Sequence, residues 1–370
     1  MKIALIEPFY SGSHKKWADE LKNNSMHEII IISLKGVFWK WRMHGGAITL
    51  SEKYNSIFAN YKPDLILATD MVNLPVFLSL INNSSNIPVL FYFHENQLTY
   101  PWSTQDTDII KKRDHHYGFI NYVSALVSSQ VLFNSKFHKN SFIQALKKFL
   151  IQFPDNNGIY NIEKIEKKSR VTYLGLDLDK FDGVSSINKK NKYPIILWNH
   201  RWEYDKNPKS FFSCLRNVKK MGDKFNLIVL GQEFDTQMKE FTTAKQEFKD
   251  EIIHFGYCKD PEDYKKYLLM SDIIPVTSIQ EFFGISVMEA VFCNTYPILP
   301  NRLTYPELFD SNENQEIFYN DDNELIEKLH LLLNQPDKIN NHKYHLISSR
   351  YNWKNMIKEY DEIFEKLVAI

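Results

Sequence analysis

The chain has 370 residues, of which 44% are apolar and 24% charged, a composition typical of globular proteins and a length that favours two domains. Its net charge is zero, but residues 1–180 carry 21 Lys and Arg against 16 Asp and Glu (+5), and residues 181–370 carry 24 against 29 (−5). The absence of an apolar run of about 18 residues argues against a membrane span. The early charges of Met1–Glu7 argue against a signal peptide. The chain has three cysteines without paired spacing, Cys214, Cys258 and Cys293, which argues against a disulfide framework or a zinc site. Because such cysteines fit a reducing compartment, we expect a cytoplasmic protein.

Short apolar runs predict strands, and amphipathic stretches between them predict helices. In the first half the predicted strands are Lys2–Ile6, Glu28–Ser33, Asp64–Ala68, Pro88–Phe93, Val131–Asn134 and Arg170–Leu174, and the predicted helices are His14–Lys22, Leu74–Ile81, Asp114–Ser128 and Lys136–Phe149. In the second half the strands are Tyr193–Asn199, Asn226–Leu230, Ile252–Phe255, Asp272–Val276 and Tyr296–Leu299, and the helices are Pro208–Met221, Thr236–Phe248, Pro261–Met270, Gly284–Cys293 and Asn323–Leu333. This alternation predicts an α/β protein with two doubly wound, Rossmann-like domains.

A polar stretch without periodicity, residues 182–192, separates the two series. We therefore predict an N-terminal domain at residues 1–182 and a C-terminal domain at 193–345, whose acceptor-side and donor-nucleotide roles are expectations from the motifs described below. Residues 346–370 contain an apolar stripe at helical spacing after the second sheet is complete. We predict that this last helix packs back on the N-terminal domain.

Ligands of open parallel sheets bind beyond the carboxyl ends of the strands, so polar residues there are site candidates. Arg201 and Lys206 follow the strand that ends at Asn199 and precede a helix start marked by Asn207 and Pro208. Two cations in such a loop could clamp a diphosphate. The alternative is a surface salt bridge of Arg201 with a neighbouring carboxylate.

The segment 281–289 combines two carboxylates, Glu281 and Glu289, with Gly284 at the start of a predicted helix. The free amides of a first helical turn suit a phosphate, and the two acids suit a sugar and a ribose. Gly231 and Tyr257 end or follow further strands and are weaker donor-site candidates.

In the first domain, Gly12, Ser13 and His14 follow the first strand and open a helix, which suits phosphate or sugar, although a plain tight turn explains the pattern equally well. His94, Glu95, Asn96 and Gln97 follow another strand directly. We expect His94 to contact a sugar; the alternative is a structural His–Glu pair. Asp114 and Tyr117, at the next predicted helix, are candidates for binding acceptor hydroxyls. We expect no metal requirement, because acidic pairs such as Asp177 and Asp179 do not directly follow a strand. Arg201 and Lys206 also already supply positive charge.

Several motifs resemble one family over nearly the whole chain. The set Arg201, Lys206, Phe283, Gly284 and Glu281-x7-Glu289 resembles the donor site of family-4 retaining glycosyltransferases of the GT-B fold. A closer resemblance, to the tRNA-queuosine alpha-mannosyltransferases, is carried by residues 7–15 (Glu-x-Phe-Tyr-x-Gly-Ser-His-Lys), 92–98, 114–118, 133–135, 200–206 and 281–284. By this resemblance we expect animal members of that family to carry a long insertion between the domains that this chain lacks.

The resemblance implies two domains facing across a cleft, and transfer of mannose from GDP-mannose to the cyclopentenediol of queuosine at position 34 of tRNA(Asp). It implies that Arg201 and Lys206 hold the diphosphate above the amides of Phe283, Gly284 and Ile285. It further implies that Glu281 and His94 contact the transferred sugar and that Glu289 contacts the ribose.

The partners would be a sugar nucleotide and a tRNA anticodon loop, with no cofactor. An anticodon loop would need aromatic residues and cations, and the first domain offers them. The candidates are Trp39, Trp41, Arg42, Tyr100, Trp102, Lys111, Lys112 and Arg113.

Three alternatives stay open on the sequence. A family-4 enzyme could act on a cell-envelope glycan or lipid, although no basic amphipathic helix for membrane docking is evident. A sugar-nucleotide epimerase could share the two-domain architecture and would need no acceptor. A sensor could bind nucleotide sugars without catalysis.

Overall fold

The computed structural model describes residues 1–82, 86–102, 108, 116–181, 192–231 and 238–369. The chain divides into two compact units, residues 1–177 together with 353–370, and residues 178–352. Residues 346–352, which we predicted as part of the terminal element, therefore lie in the second unit. The predicted linker, apart from residue 192, falls outside the described residues.

The first unit is built on a six-stranded sheet of order β2-β1-β3-β4-β5-β6. All of its paired strands run parallel. The strands are β1 (Lys2–Tyr10), β2 (Glu28–Lys35), β3 (Leu65–Thr69), β4 (Val89–Phe93), β5 (Gln130–Phe133) and β6 (Ser169–Val171). The central strands β3 and β4 are buried at every residue, as expected for a parallel sheet covered on both faces.

The helices of the first unit are α1 (Gly12–Asn24), α2 (Trp39–Ile57), α3 (Leu74–Leu80), α4 (His116–Val127), α5 (Lys136–Leu150), α6 (Asn161–Lys167) and α15 (Trp353–Val368). The long helix α2 was not predicted. Gly45 and Gly46 lie in its interior, and Phe38 precedes it without a capping side chain, so the usual signals of a helix are missing.

The last helix, α15, is fixed in the first unit by its aromatic face. The Trp353 amide donates to the Leu176 carbonyl over 3.0 Å, and its indole Nε1 donates to Glu20 over 2.6 Å. The Tyr360 hydroxyl contacts the Tyr92 hydroxyl at 3.1 Å.

The second unit has a six-stranded parallel sheet of order β12-β11-β10-β7-β8-β9. The strands are β7 (Ile195–Asn199), β8 (Asn226–Leu230), β9 (Ile252–Gly256), β10 (Ile273–Pro275), β11 (Tyr296–Pro300) and β12 (Phe318–Tyr319). The two-residue strand β12 is too short to leave an apolar run and was not predicted.

The helices of the second unit are α7 (Pro208–Lys220), α8 (Lys239–Glu247), α9 (Pro261–Met270), α10 (Ile285–Phe292), α11 (Tyr305–Leu308), α12 (Asp322–Leu333), α13 (Pro336–Asn340) and α14 (His345–Ser349). Three short 3-10 helices, Asp179–Phe181, Tyr204–Lys206 and Gln315–Ile317, connect the regular elements. No helix within the described residues is both long enough and apolar enough to cross a bilayer.

Candidate functional site

In the second unit, the predicted cation Lys206 lies in a buried ion-pair network. Its Nζ atom is 3.0 Å from Glu281 Oε2 and 3.1 Å from Asp205 Oδ2, and it donates to the Gln280 carbonyl at 3.1 Å. The loop that carries it is fixed by the Thr277 hydroxyl, which donates to the Lys206 carbonyl over 2.9 Å. Two predicted site residues that are 75 positions apart in sequence are thus brought into direct contact.

The network keeps both of its central groups ionised. Burial would lower the pKa of Lys206, but the Glu281 and Asp205 carboxylates outweigh burial and raise it. Burial would raise the pKa of Glu281, but Lys206 outweighs burial and lowers it. Because removing one partner of such a pair leaves an uncompensated buried charge, the arrangement is costly to break, about 3–5 kcal/mol.

Arg201 is much more exposed than Lys206. Its side chain is 51% exposed and pairs with Glu203 at 3.1 Å, so the salt bridge considered as the alternative is present. Arg201 nevertheless lies near enough to Lys206 for its charge to act on the Lys206 pKa. An exposed guanidinium can exchange a surface partner for an anion at small cost.

The first residue after β7, His200, is buried and electrostatically tied to the same group. Burial and the charge of Lys206 lower its pKa to about 3, so its imidazole is neutral at pH 7. Its Nδ1 atom lies 3.3 Å from the Ser286 hydroxyl in the first turn of α10.

Gly231 has a steric function at the end of β8. Its φ is +135°, and a Cβ there would lie 2.1 Å from the His200 carbonyl oxygen. Any side chain would therefore push apart the loops that follow β7 and β8.

The start of α10 has the backbone geometry that the sequence predicts. Gly284 precedes the helix with a φ of +90°, a left-handed conformation that favours glycine. The amides of Phe282 and Phe283 point to Glu281 Oε1 at 3.2 and 3.5 Å. Since Phe283 directs its amide to Glu281, an anion at this helix terminus would meet the amides from Gly284 and Ile285 onward.

Glu289, predicted to contact a ribose, lies one turn further along α10 and is 5% exposed. Lys180 approaches its Oε1 at 2.8 Å, and the Tyr264 hydroxyl donates to its Oε2 over 2.7 Å. Tyr257, the remaining donor candidate, follows β9 and is 61% exposed.

In the first unit, the carboxyl edge of the sheet gathers a histidine–carboxylate cluster. His14, near the start of α1, is buried, and its Nδ1 atom lies 3.3 Å from both carboxylate oxygens of Glu7 on β1. Burial would lower the pKa of His14, but Glu7 and then Asp70 outweigh burial and raise it to about 9. Gly12 begins the helix at a φ of +51°, and Ser13 is exposed at its first turn.

His94, directly after β4, lies against this cluster, with its ring centroid 4.4 Å from that of His14. Burial and the charge of His14 lower the pKa of His94 well below its ordinary value, so it is a neutral imidazole. Its amide donates to Asp70 Oδ1 over 2.8 Å. Its Nε2 atom is buried without a hydrogen-bond partner among the residues that the structure describes, which leaves it able to bond a ligand.

Glu7, His14 and His94 are also the one group within the described ranges that could ligate a metal ion. Their ligand atoms lie within 4.8 Å of one another. Two imidazoles and a carboxylate suit a transition metal, but the His14–Glu7 ion pair gives these groups a role without one. That no metal is required stays a prediction.

The remaining acceptor candidates differ in accessibility. Asn96 is fully buried, and its Oδ1 accepts from the amides of Leu98 and Thr99 at 3.1 and 3.0 Å, which makes it the organiser of this turn. Gln97 donates to Glu95 Oε1 over 2.9 Å.

Tyr117 is 4% exposed and packs among the aromatic rings of Trp39, Trp102, His44 and His116. Asp114, the last acceptor candidate, lies outside the described residues.

The sequence analysis missed Glu7, Asp70 and Asn121 as members of this cluster. Asp70 directly follows β3, so its position after a strand was a usable signal. Asn121 donates to the Asp70 carbonyl over 2.9 Å and accepts from the Gln97 amide over 2.7 Å. It lies inside α4, where no pattern marks such a residue.

Two family models match the chain, one in each half. A family model described as tRNA-queuosine alpha-mannosyltransferase N-terminal matches residues 2–176, and one described as glycosyl transferases group 1 matches residues 180–348. A tRNA-queuosine alpha-mannosyltransferase of Drosophila melanogaster is 32% identical over 379 residues, covering 99% of this chain and 97% of that protein. Such coverage leaves no room for a long insertion in this animal relative, so that expectation is wrong for it.

A GDP-mannose:cellobiosyl-diphosphopolyprenol alpha-mannosyltransferase of Xanthomonas oryzae pv. oryzae is 22% identical over 263 residues, covering 69% of this chain and 67% of that protein.

Solved structures resemble the whole chain in fold. A sucrose-phosphate synthase from Thermosynechococcus elongatus has a TM-score of 0.73 at 14% identity, with 100% of this chain and 99% of that chain covered. A glycosyltransferase from Rickettsia africae has a TM-score of 0.69 at 18% identity, with 99% and 98% covered. The predicted fold class, a GT-B protein with two Rossmann-like domains, is confirmed.

The identity to the Drosophila protein extends over both units, and the second unit carries a glycosyltransferase domain. The predicted enzyme class, a hexosyltransferase, is therefore confirmed. The chain belongs to the tRNA-queuosine alpha-mannosyltransferase family.

Proposed function

We propose that this protein transfers mannose from GDP-mannose, with retention of configuration, to a cyclopentenediol hydroxyl of queuosine at position 34 of tRNA(Asp). Membership of the family supports the reaction and the acceptor. The name of the Xanthomonas relative includes GDP-mannose, which supports the donor. The proposal includes a cytoplasmic location and no metal or other cofactor.

One observation supports binding of the donor: Lys206, Arg201 and the N-terminus of α10 lie together at one edge of the second sheet. Lys206 is held in place by Glu281 and Asp205, and Arg201 is half-exposed beside it. A diphosphate bound there would receive hydrogen bonds from Arg201, Lys206 and the amides of Gly284 and Ile285. Glu281 would contact the mannose, and Glu289 the ribose.

The chemistry follows from charge stabilisation at this group. The bond from the mannose anomeric carbon to the phosphate oxygen breaks, and a bond to the acceptor hydroxyl oxygen forms on the same face of the sugar. The hydroxyl proton passes to an oxygen of the departing diphosphate. Arg201 and Lys206 stabilise the charge that develops on that diphosphate, and fixed positions lower the entropic cost of the step.

Residues of the first unit are the ones that would contact the transferred mannose and the acceptor diol. His94 is a neutral imidazole with a buried, unsatisfied Nε2 atom, so it can hydrogen-bond a hydroxyl of the transferred mannose. The Glu95 carboxylate, close to His14, can accept hydrogen bonds from neighbouring hydroxyls, whereas burial raises the pKa of Asp70 to about 8. These groups suit a vicinal diol such as the cyclopentenediol.

Incubation with GDP-mannose and queuosine-containing tRNA tests the proposal, followed by mass analysis of the digested nucleosides. We expect a hexose mass increase on queuosine, and none with tRNA that lacks queuosine. The same incubation with excess chelator should give the same product.

The Xanthomonas relative acts, by its name, on a polyprenol-linked sugar, so a lipid-linked acceptor is the second candidate. Transfer to such a lipid but not to tRNA would overturn the acceptor and leave the enzyme class intact.

A further inference from the structure

One indole on helix α2 packs over a glycine of the same helix. Trp41 is 63% exposed, although tryptophan is usually largely buried. A Cβ at Gly45, one turn later, would lie 2.7 Å from an indole ring carbon of Trp41. The missing side chain at Gly45 therefore makes the space in which the ring rests, with its remaining surface open to solvent.

This arrangement is unfavourable for the helix itself. Glycine in a helix interior is about 1 kcal/mol less favourable than alanine. An exposed tryptophan adds apolar surface to solvent without stabilising a core. Neither choice helps α2 to fold, which points to a function for the exposed ring.

A second exposed aromatic residue directly precedes the helix. Phe38 is 78% exposed and has φ 54° and ψ 56°, the left-handed conformation that bulky residues rarely adopt. Backbone strain of this kind persists where a particular side-chain position is needed. Phe38 and Trp41 are three positions apart in sequence, so two aromatic rings lie in one short segment.

The segment that carries the two rings contains basic residues and no acidic ones. No Asp or Glu occurs between Glu28 and Glu52, and the interval contains Lys35, Lys40 and Arg42. Lys40 is paired with Asp108 at 2.5 Å. Lys35 is exposed, and the Arg42 Nε atom donates to the Lys35 carbonyl over 3.0 Å, which holds the guanidinium beside the end of β2.

The segment lies at the sheet edge that carries the histidine–carboxylate cluster. Strands β1 and β2 are parallel neighbours, and the loops after them touch, because the Ser11 hydroxyl donates to the Gly36 carbonyl at 3.4 Å. Ser11 immediately precedes α1, which carries His14. An acceptor with its reactive group at that cluster would extend naturally towards α2.

We propose that Trp41 and Phe38, flanked by Lys35 and Arg42, form a stacking platform for unpaired bases next to the modified nucleoside of an RNA acceptor. Unpaired bases of an RNA loop stack on exposed aromatic rings, and nearby cations meet the phosphates. The proposal deepens the function proposed above and rests on it. Of the tryptophans named from the sequence as RNA-binding candidates, the proposal selects Trp41, which is exposed. Trp39 and Trp102 are partly buried against Met43, Met71, Tyr117 and Ile120.

The test compares Trp41→Ala, Phe38→Ala and the control Tyr160→Ala, which removes a 70% exposed aromatic residue elsewhere in the same unit. Affinity for queuosine-containing tRNA is measured by filter binding, and GDP affinity by calorimetry. We expect each platform variant to bind tRNA about 5- to 150-fold more weakly, from the usual contribution of one stacked base. GDP affinity and the control variant should not change.

Two further variants separate stacking from general damage to α2. Gly45→Ala should favour the helix but displace the indole, so we expect weaker tRNA binding without loss of thermal stability. Trp41→Phe should restore part of the affinity. We also expect tRNA to quench the tryptophan fluorescence of the natural protein, and to quench that of Trp41→Phe less. The Michaelis constant for tRNA should rise in Trp41→Ala while kcat is retained.

Unchanged tRNA affinity in both alanine variants would overturn the platform. It would also be overturned if the two substitutions weakened binding to anionic vesicles and not to tRNA. The outcomes also separate the two proposals. Mannose transfer that is indifferent to Trp41 would reject the platform alone. Binding of tRNA that depends on Trp41, without mannose transfer, would reject the proposed reaction alone.

Discussion

Replacing Arg201 by alanine should weaken GDP binding strongly and leave the fold almost unchanged. The Arg201 side chain is 51% exposed, and its pair with Glu203 is of the surface type that contributes about 0–1 kcal/mol. A charge-assisted hydrogen bond to a phosphate contributes about 1.5–3 kcal/mol, which corresponds to roughly 10- to 150-fold in affinity. Calorimetric titration with GDP measures the affinity, and urea unfolding measures the stability.

A matched control is available in the same unit. Arg216 pairs with Glu247 at 2.7 Å between α7 and α8, with 35% and 40% of the side chains exposed. Arg216→Ala removes a comparable surface pair away from the loop after β7, so GDP affinity should not change. Arg201→Lys retains the charge without the bidentate geometry and should lie between the natural protein and Arg201→Ala. If Arg201→Ala bound GDP as tightly as Arg216→Ala, the assignment of Arg201 to the diphosphate would be wrong.

Three further predictions concern the buried groups. Lys206→Met should lower the free energy of unfolding by about 3–5 kcal/mol. The double variant Lys206→Met with Glu281→Gln should lower it by less, because fewer buried charges then lose their partner. Urea unfolding of both variants measures the difference. His94→Gln should keep GDP affinity but reduce mannose transfer to tRNA, and equal losses of both would contradict the assignment. The ion pair of His14 with Glu7 should stabilise the protein by about 3 kcal/mol relative to His14→Gln. Since the folded pKa is raised to about 9, this difference should be complete below about pH 6.5 and lost as the pH rises through 9, and a pH-independent difference would refute it.

The strands of both sheets were predictable because buried parallel strands are continuous apolar runs. β3 and β4 are buried at every position and were recognised within one residue at each end. The last helix was also predictable, since its apolar stripe needed a partner, and it lies in the first unit. The elements that were not predicted lack periodicity or are short: α2 contains Gly45 and Gly46, β12 has two residues, and α6, α11, α13 and α14 have 7, 4, 5 and 5 residues.

The candidate site was only partly predictable, because the sequence shows where polar residues leave a strand and not what they meet. Lys206 and Glu281 were each recognised by position after a strand, but their contact joins residues 75 positions apart. The contact of Lys180 with Glu289 joins residues 109 positions apart. Glu7 directly followed the predicted strand Lys2–Ile6 and could have been recognised by that position, although in the structure it lies within β1 and is buried.

The charges of the donor-side network indicate how it can attract an anion. Lys206 faces two carboxylates, Asp205 and Glu281, so these three groups together carry one negative charge when all are ionised. Lys206 alone therefore does not make the loop electropositive; the carboxylates fix its position and keep it protonated. The attraction for a diphosphate must come from the half-exposed Arg201 and from the helix terminus at Gly284, with Lys206 contributing a hydrogen bond at short range. Loss of Arg201 should consequently reduce both GDP affinity and its dependence on salt, whereas loss of Lys206 should mainly reduce stability.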